Sequence, residues 1–235
     1  MFRVMAGGAV STVLATLAFS GSAQAVQITG TPGSDRIRAT GQADVVDGAA
    51  GDDRIGARSG PDTVTGGEGL DRIWGGRGAD RLFGGVGDDR IWGNHGHDHS
   101  WGEDGNDHMG GAAGNDKQWG GTGNDLIYAA RGNDETWGED GDDQLWAMAR
   151  ADVHGPNDTA GDVLHGGPGN DTFRVRDGEA DTVDCGAGVD TVYADFKDVL
   201  SNPGECEVVN RARRAKKGED QRENVDPAES VSVRE

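Results

Sequence analysis

The sequence predicts an all-β chain wound into a parallel coil of very short strands, with about eighteen residues per turn. Three observations predict it. Aspartate recurs every nine residues without a break, at Asp35, Asp44, Asp53, Asp62, Asp71, Asp80, Asp89, Asp98, Asp107, Asp116, Asp125, Asp134 and Asp143. Glycines recur at fixed offsets ahead of it, as in Gly75-Gly76-Arg77-Gly78-Ala79-Asp80 and Gly84-Gly85-Val86-Gly87-Asp88-Asp89. An aliphatic residue follows two positions after most of these aspartates, as Leu82 and Ile91 do. Glycine at this density breaks any helix. It also supplies the positive φ needed to turn the chain between strands. Half a turn per nonapeptide stacks each repeat on the one two places later, at about 4.8 Å.

The elements follow in order. Residues 1–25 read as an export signal: Arg3 begins it, Ala9 to Phe19 is apolar but too short to span a bilayer, and Ala23-Gln24-Ala25 fits a small-residue cleavage site. The mature chain then starts near Val26 and carries no membrane span. Residues 26–47 hold two degenerate repeats, around Asp35 and Asp44, and are expected to form an N-terminal cap with both aspartates doubtful as ligands. Residues 48–146 form the regular array. From 147 to 161 the glycine pattern fails. Asp152 keeps the interval of nine, but Arg150 and His154 stand where glycine and an aliphatic residue belong; an inserted loop is expected. Residues 162–210 resume the array, with a full repeat at Gly166-Gly167-Pro168-Gly169-Asn170-Asp171 and looser ones at Asp181 and Asp190. Cys185 and Cys206, the only cysteines, read as a disulfide in an exported chain and close a C-terminal cap. Residues 211–235 are charged, nearly free of large apolar side chains, and expected to be disordered.

Stacking places the carboxylates in two columns, Asp53, Asp71, Asp89, Asp107, Asp125 and Asp143 in one and Asp62, Asp80, Asp98, Asp116 and Asp134 in the other. Like charges about 5 Å apart repel by roughly 0.8 kcal/mol even at the dielectric of water. Basic residues are not supplied at one phase for every Asp. A hard divalent cation relieves the repulsion, and carboxylate plus carbonyl oxygens favour Ca²⁺. The expected metal ligands are these eleven aspartates together with Asp171 and Asp190. Asp and Asn also favour turns in their own right, but that preference does not account for Asp at this phase throughout.

The frame Gly-Gly-x-Gly-x-Asp-x-aliphatic-x resembles the RTX calcium-binding nonapeptide repeat, over roughly Gly30 to Asp190. The resemblance implies a parallel β-roll, a right-handed β-helix-like solenoid, with several Ca²⁺ ions held between successive turns by Asp carboxylates and loop carbonyls. The segment from Asp181 through Cys206 resembles the end of small secreted calcium-binding proteins of Gram-positive bacteria. The cleavable leader departs from the many RTX proteins exported by a C-terminal signal.

One inward row of the coil is unbroken: Ile37, Ile55, Ile73, Ile91, Met109, Ile127, Leu145. The other runs Val46, Val64, Leu82 and then turns polar at Ser100, Gln118 and Thr136, each followed by tryptophan. Two readings stay open. Phe83, Trp101, Trp119 and Trp137 form an outward aromatic ladder available to a cell-surface glycan or protein partner, or a one-residue slip turns the tryptophans inward. His95, His97 and His99 alternate as a transition-metal site would require, or are simply variable positions of the repeat.

With hydrophobic residues at 34% and a net charge of −20, the chain is expected to fold only as it binds metal, and nucleic acid is disfavoured as a partner. No Gly-x-Ser-x-Gly elbow, His-Glu-x-x-His helix or phosphate loop is present. The expected function is therefore secreted, non-catalytic calcium binding; the second is a calcium-dependent extracellular interaction module.

Overall fold

The computed structural model describes residues 14–16, 25–147, 161–202 and 205–211. The expected leader, apart from Leu14–Thr16 and Ala25, lies outside the described residues, as do residues 148–160 of the inserted loop with Asp152, and the tail from 212 onward.

The described chain is a parallel β-solenoid of about nine turns. Its strands run from β1 (Leu14–Thr16), β2 (Gln27–Thr29) and β3 (Arg36–Arg38) through six-residue strands β4 (Val45–Ala50) to β14 (Glu135–Asp140). There follow β15 (Gln144–Trp146), β16 (Val163–Pro168), β17 (Thr172–Val175), β18 (Thr182–Ala187), β19 (Thr191–Ala194), β20 (Val199–Leu200) and β21 (Val208–Arg211). From β2 on, even strands form one sheet and odd strands the other, each pairing with the strand two places along. That alternation is the half-turn per nonapeptide: residue i lies beside i+18, as Ile55 beside Ile73 and Trp101 beside Trp119. β1 alone adds antiparallel, at the edge of β2.

Within β7 (Arg72–Arg77) burial alternates along Arg72-Ile73-Trp74-Gly75, so Ile73 and Gly75 face in while Arg72 and Trp74 face out. The two inward rows meet in a thin core. Ile55, Ile73, Leu82, Met109 and Ile127 are wholly buried. A second apolar cluster begins at Leu145 and runs through Phe173 and Val183 to Cys206.

The strands do not slip at the polar positions. Leu82, Ser100, Gln118, Thr136 and Leu164 stay in one inward row. Gln118 is fully buried. In the amide orientation that satisfies both groups, its nitrogen donates to the Tyr128 carbonyl (3.1 Å) and its oxygen accepts from the Gly111 N–H (3.2 Å). Such pairing removes most of the cost of a buried amide. Phe83, Trp101, Trp119 and Trp137 face outward and are partly exposed.

The C-terminal end is tied by the Cys185–Cys206 disulfide. Closing a loop of this length contributes about 3 kcal/mol on the chain-entropy account. It holds the segment leading into β21 against the last full turn.

Candidate metal centre

Each repeat places its Asp at the end of the turn, just before a strand, with the side chain inward. Asp53, Asp62, Asp71, Asp80, Asp89, Asp98, Asp107, Asp116, Asp125, Asp134, Asp143, Asp171 and Asp190 are all buried. The structure brings them into the two columns and links each column by one bond repeated turn after turn. The backbone N–H of one Asp donates to Oδ1 of the Asp one turn later: Asp71 to Asp89 at 2.7 Å, Asp80 to Asp98 at 2.8 Å, Asp107 to Asp125 at 2.7 Å.

The bonds continue past the insertion. Asp134 donates to Asp162 and Asp143 to Asp171, both over 28 residues. Since the turn is 18 residues in the array before it, the insert adds ten (28 − 18). Asp162 donates to Asp181 and Asp171 to Asp190, each over 19. Asp162 and Asp181 thus stand in the column although neither was expected as a ligand. An interval of ten hid them, and Asp152 kept the count of nine in their place. Asp190 donates in turn to a Glu207 carboxylate oxygen, so a glutamate ends that column.

The second oxygen, Oδ2, is the informative one. It is buried without a hydrogen-bond partner in Asp53, Asp62, Asp71, Asp80, Asp89, Asp98, Asp107, Asp116, Asp125, Asp143, Asp171, Asp181 and Asp190. Buried carboxylate oxygens are ordinarily satisfied, so a whole set of orphans needs an explanation.

The glycines supply it. A Cβ on Gly84, five residues before Asp89, would lie 2.5 Å from Asp89 Oδ2 and 2.6 Å from the carbonyl oxygen of Gly102, one turn on. At Gly102 the same atom would lie 2.1 Å from Asp107 Oδ2 and 2.4 Å from the Gly120 carbonyl oxygen. Carboxylate and carbonyl oxygens therefore converge on a space that only glycine leaves open. The same cradle recurs at Gly48, Gly66, Gly75, Gly111, Gly120, Gly138 and Gly166. A set of hard oxygens around a small volume fits Ca²⁺.

The cradle is not uniform. The residue five before Asp62 is Ala57, before Asp134 it is Ala129, and before Asp190 it is Cys185. All three are buried side chains occupying the space that glycine leaves elsewhere. Asp35 and Asp44 differ again. Oδ2 of each accepts from the N–H and hydroxyl of a threonine, Thr31 (2.6 and 2.9 Å) and Thr40 (both 2.7 Å). These two close the N-terminal end with protein donors.

Burial dominates the electrostatics of the columns. It pushes the carboxyls of Asp53, Asp62, Asp89, Asp98, Asp116 and Asp171 up to about 7, against the downward pull of the N–H bond from the previous turn. Asp107 and Asp143 rise to about 8, with neighbouring column charges adding to burial.

The RTX calcium-binding nonapeptide repeat matches this chain in overlapping segments: residues 29–64, 57–91, 65–100, 74–109, 87–118 and 110–145. Residues 29–145 are an RTX repeat array. A comparison with curated proteins returns no match. The RTX frame accounts for the columns, the turns and the position of each cradle glycine. The matched segments end at 145, before the insertion, so the repeats at Asp162, Asp171, Asp181 and Asp190 rest on the continuing Asp bonds.

The histidines take separate tasks. His97 Nδ1 accepts from the Asn115 N–H at 2.8 Å. His99 sits edge-on to both Trp101 and Trp119, 5.9 Å from each. The outward rings stack as one column: Phe83–Trp101 at 4.5 Å, Trp101–Trp119 and Trp119–Trp137 at 4.8 Å, Trp137–His165 at 5.4 Å, all within 5° of parallel. Stacking of this kind turns ring faces toward one another and leaves ring edges toward solvent.

Proposed function

We propose that this RTX chain is a secreted, non-catalytic calcium-binding protein whose roll forms as it takes up several Ca²⁺ ions. One observation carries the reading: the repeated buried Oδ2 without a protein partner, facing a glycine-opened cradle beside a carbonyl oxygen. Asp53, Asp71, Asp80, Asp89, Asp98, Asp107, Asp116, Asp125, Asp143 and Asp171 have the open cradle and are the strongest ligands. Asp62, Asp134 and Asp190, whose cradles are filled, are weaker ones. A bound ion supplies the counter-charge that lets the carboxylates stay ionised while buried; the chain supplies the oxygens and the backbone N–H bonds that hold them in file. The leader-like first 25 residues and the disulfide support export, where calcium is abundant enough for sites of extracellular affinity, about 10⁻⁴ to 10⁻³ M.

Far-UV circular dichroism in chelator, and again in millimolar Ca²⁺, tests this. The β signal is expected to appear with Ca²⁺ and not with Mg²⁺, which holds its water and demands a tighter octahedron. Identical spectra in all three conditions would sink the reading.

The ladder from Phe83 to Trp137 favours a second reading, a calcium-dependent interaction surface, because a contiguous apolar strip on an acidic chain marks a contact face. Sugars bind aromatic faces, and here the interior faces are covered. The strip therefore suits the edge contacts of a protein partner better than pyranose stacking. On a glycan array, calcium-dependent hits would favour a sugar partner instead; silence is the expected result.

A further inference from the structure

The turn between β17 and β18 departs from the RTX frame. It runs Asp177-Gly178-Glu179-Ala180-Asp181, and it lies beyond the matched repeats, which end at 145. Asp177 and Glu179 stand four and two residues before the column Asp, the positions that Gly85 and Gly87 hold before Asp89. One carboxylate oxygen from each of Asp177, Glu179 and Asp181 lies within 4.8 Å of the other two. Asp177 and Glu179 are half-buried, and Asp181 is at 0% exposure. A bond from the Glu179 N–H to Asp177 Oδ1 (2.8 Å) folds the turn on itself. Asp181 Oδ1 is taken by the Asp162 N–H (2.8 Å), while its Oδ2 is buried with no hydrogen-bond partner. A wholly buried Asp181 whose Oδ2 has no hydrogen-bond partner is costly by itself, and two more carboxylates of the same five-residue turn converge on it, which together point to a cation between them.

We propose that Asp177, Glu179 and Asp181 form a separate calcium site, built from side-chain carboxylates rather than from the shared carboxylate-and-carbonyl cradles of the array. The identity of the ion rests on the calcium reading above; the site itself rests on the convergence of the three groups. Acidic residues at the first, third and fifth places of a loop are how other calcium loops begin their ligand set, and affinity rises with the number of charged ligands. This turn offers three carboxylates to one ion, where each regular turn offers one Asp to its column. It therefore fills at lower calcium than the array. Its place, four residues before Cys185 and under β20, makes it a C-terminal clasp that is loaded first. Lys197, whose Nζ donates to the Gly178 carbonyl oxygen, is the cation that competes for this turn.

The test uses the full chain with CaCl₂ alone. Native mass spectrometry counts the ions on wild type, on Asp177→Asn/Glu179→Gln and on Lys197→Met, and calcium-buffered titrations follow the first ion. The double variant is expected to hold one ion fewer and to lose the tightest phase, its first-ion affinity falling about tenfold or more. Its calcium-induced circular dichroism from the array is retained. Lys197→Met keeps the full count and binds its first ion more tightly. Equal counts and an unchanged first ion in the double variant would overturn the site. Loss of the array signal in that variant would overturn its separateness. A wild type that binds no calcium defeats the broader reading instead, which is a different result.

Discussion

Acidifying the chelated protein from pH 8 to about pH 4 draws it toward the roll. Most soluble domains lose structure on the same path, because their carboxylates are better stabilised folded than unfolded. Here the shift has the other sign. Burial raises the column carboxyls from 3.8 to about 7 at Asp53, Asp62, Asp89, Asp98 and Asp116, and to about 8 at Asp107 and Asp143. Asp71 and Asp80 move the same way for the same reason. A group with a raised folded pKa holds its proton in the folded state after the unfolded chain has released it. Its contribution to stability is complete below about pH 4 and is lost as pH climbs through 6 to 8. At neutral pH the ion-free roll is thus penalised at many positions together. Calcium takes the place of the protons: in acid, where the ion-free roll forms with its carboxyls protonated, binding releases them, and near pH 8, where the unfolded chain is already ionised, it releases few. Circular dichroism against pH in chelator checks the first half, and proton release during calcium titration checks the second. A chelated protein more structured at pH 8 than at pH 4 would contradict the account.

Gly96→Ala unfolds the middle of the array, whereas Gly93→Ala leaves the fold and weakens one calcium site. Both glycines belong to one repeat, and the difference is geometric. Gly96 has φ of +147°, where a side chain is strained, and its added Cβ would sit 1.5 Å from the Gly78 carbonyl oxygen of the previous turn. Two backbones stacked this closely have no room to give. The expected loss, from left-side backbone strain plus overpacking, is on the order of 4 kcal/mol. Gly93 has ordinary φ, and its Cβ would meet the Asp98 side chain, with Oδ2 at 2.5 Å. A carboxylate can swing aside, as the repeats with Ala57 and Ala129 show by existing. Thermal melts in saturating calcium, together with ion counts, separate the two: Gly96→Ala loses the transition, Gly93→Ala keeps it with one site impaired. Equal melts would show that the turn glycines are interchangeable.

That contrast explains the pattern of glycine along the chain. The position of Gly96 is glycine in every repeat from Gly51 to Gly141. The second position of the frame also takes positive φ, yet it tolerates Ala49, Arg58, Asn94, Glu103, Ala112, Ala130 and Glu139. The side chains tolerated there take φ between +72° and +87°, close to the left-handed region that other residues can reach, whereas the glycines at the position of Gly96, from Gly51 to Gly141, take φ between +99° and +155°, where a side chain is strained.

Much of the fold was legible because one residue type marks every half-turn. The interval of nine places the two columns, the sheets and the inward rows. It could not place what breaks the interval. Asp162 and Asp181 follow intervals of ten, so only the spatial partner, not the count, puts them in the column. Nor could alternation decide the facing of Trp101, Trp119 and Trp137. Ser100, Gln118 and Thr136 look wrong for a core until the Gly111 and Tyr128 backbone groups that meet Gln118 are known, and those lie in neighbouring repeats. The grading of the sites was visible in principle: Ala57 and Ala129 stand where glycine belongs, but a missing hydrogen becomes a blocked cradle only once Oδ2 is seen to point there.

The bond from each Asp N–H to the next Asp carboxylate runs head to tail, and the donor at one end and the acceptor at the other are the same residue type. Any turn can therefore follow any other. Special chemistry is needed only at the two ends: threonines at the start of both columns, and at the finish Glu207 under one column and Asp198 under the other, beside the disulfide. Length is then a free variable of this molecule: whole turns can be duplicated or deleted between the two ends without redesigning either. The ten residues added after β15 leave the file of carboxylates in step, as the bonds from Asp134 to Asp162 and from Asp143 to Asp171 show.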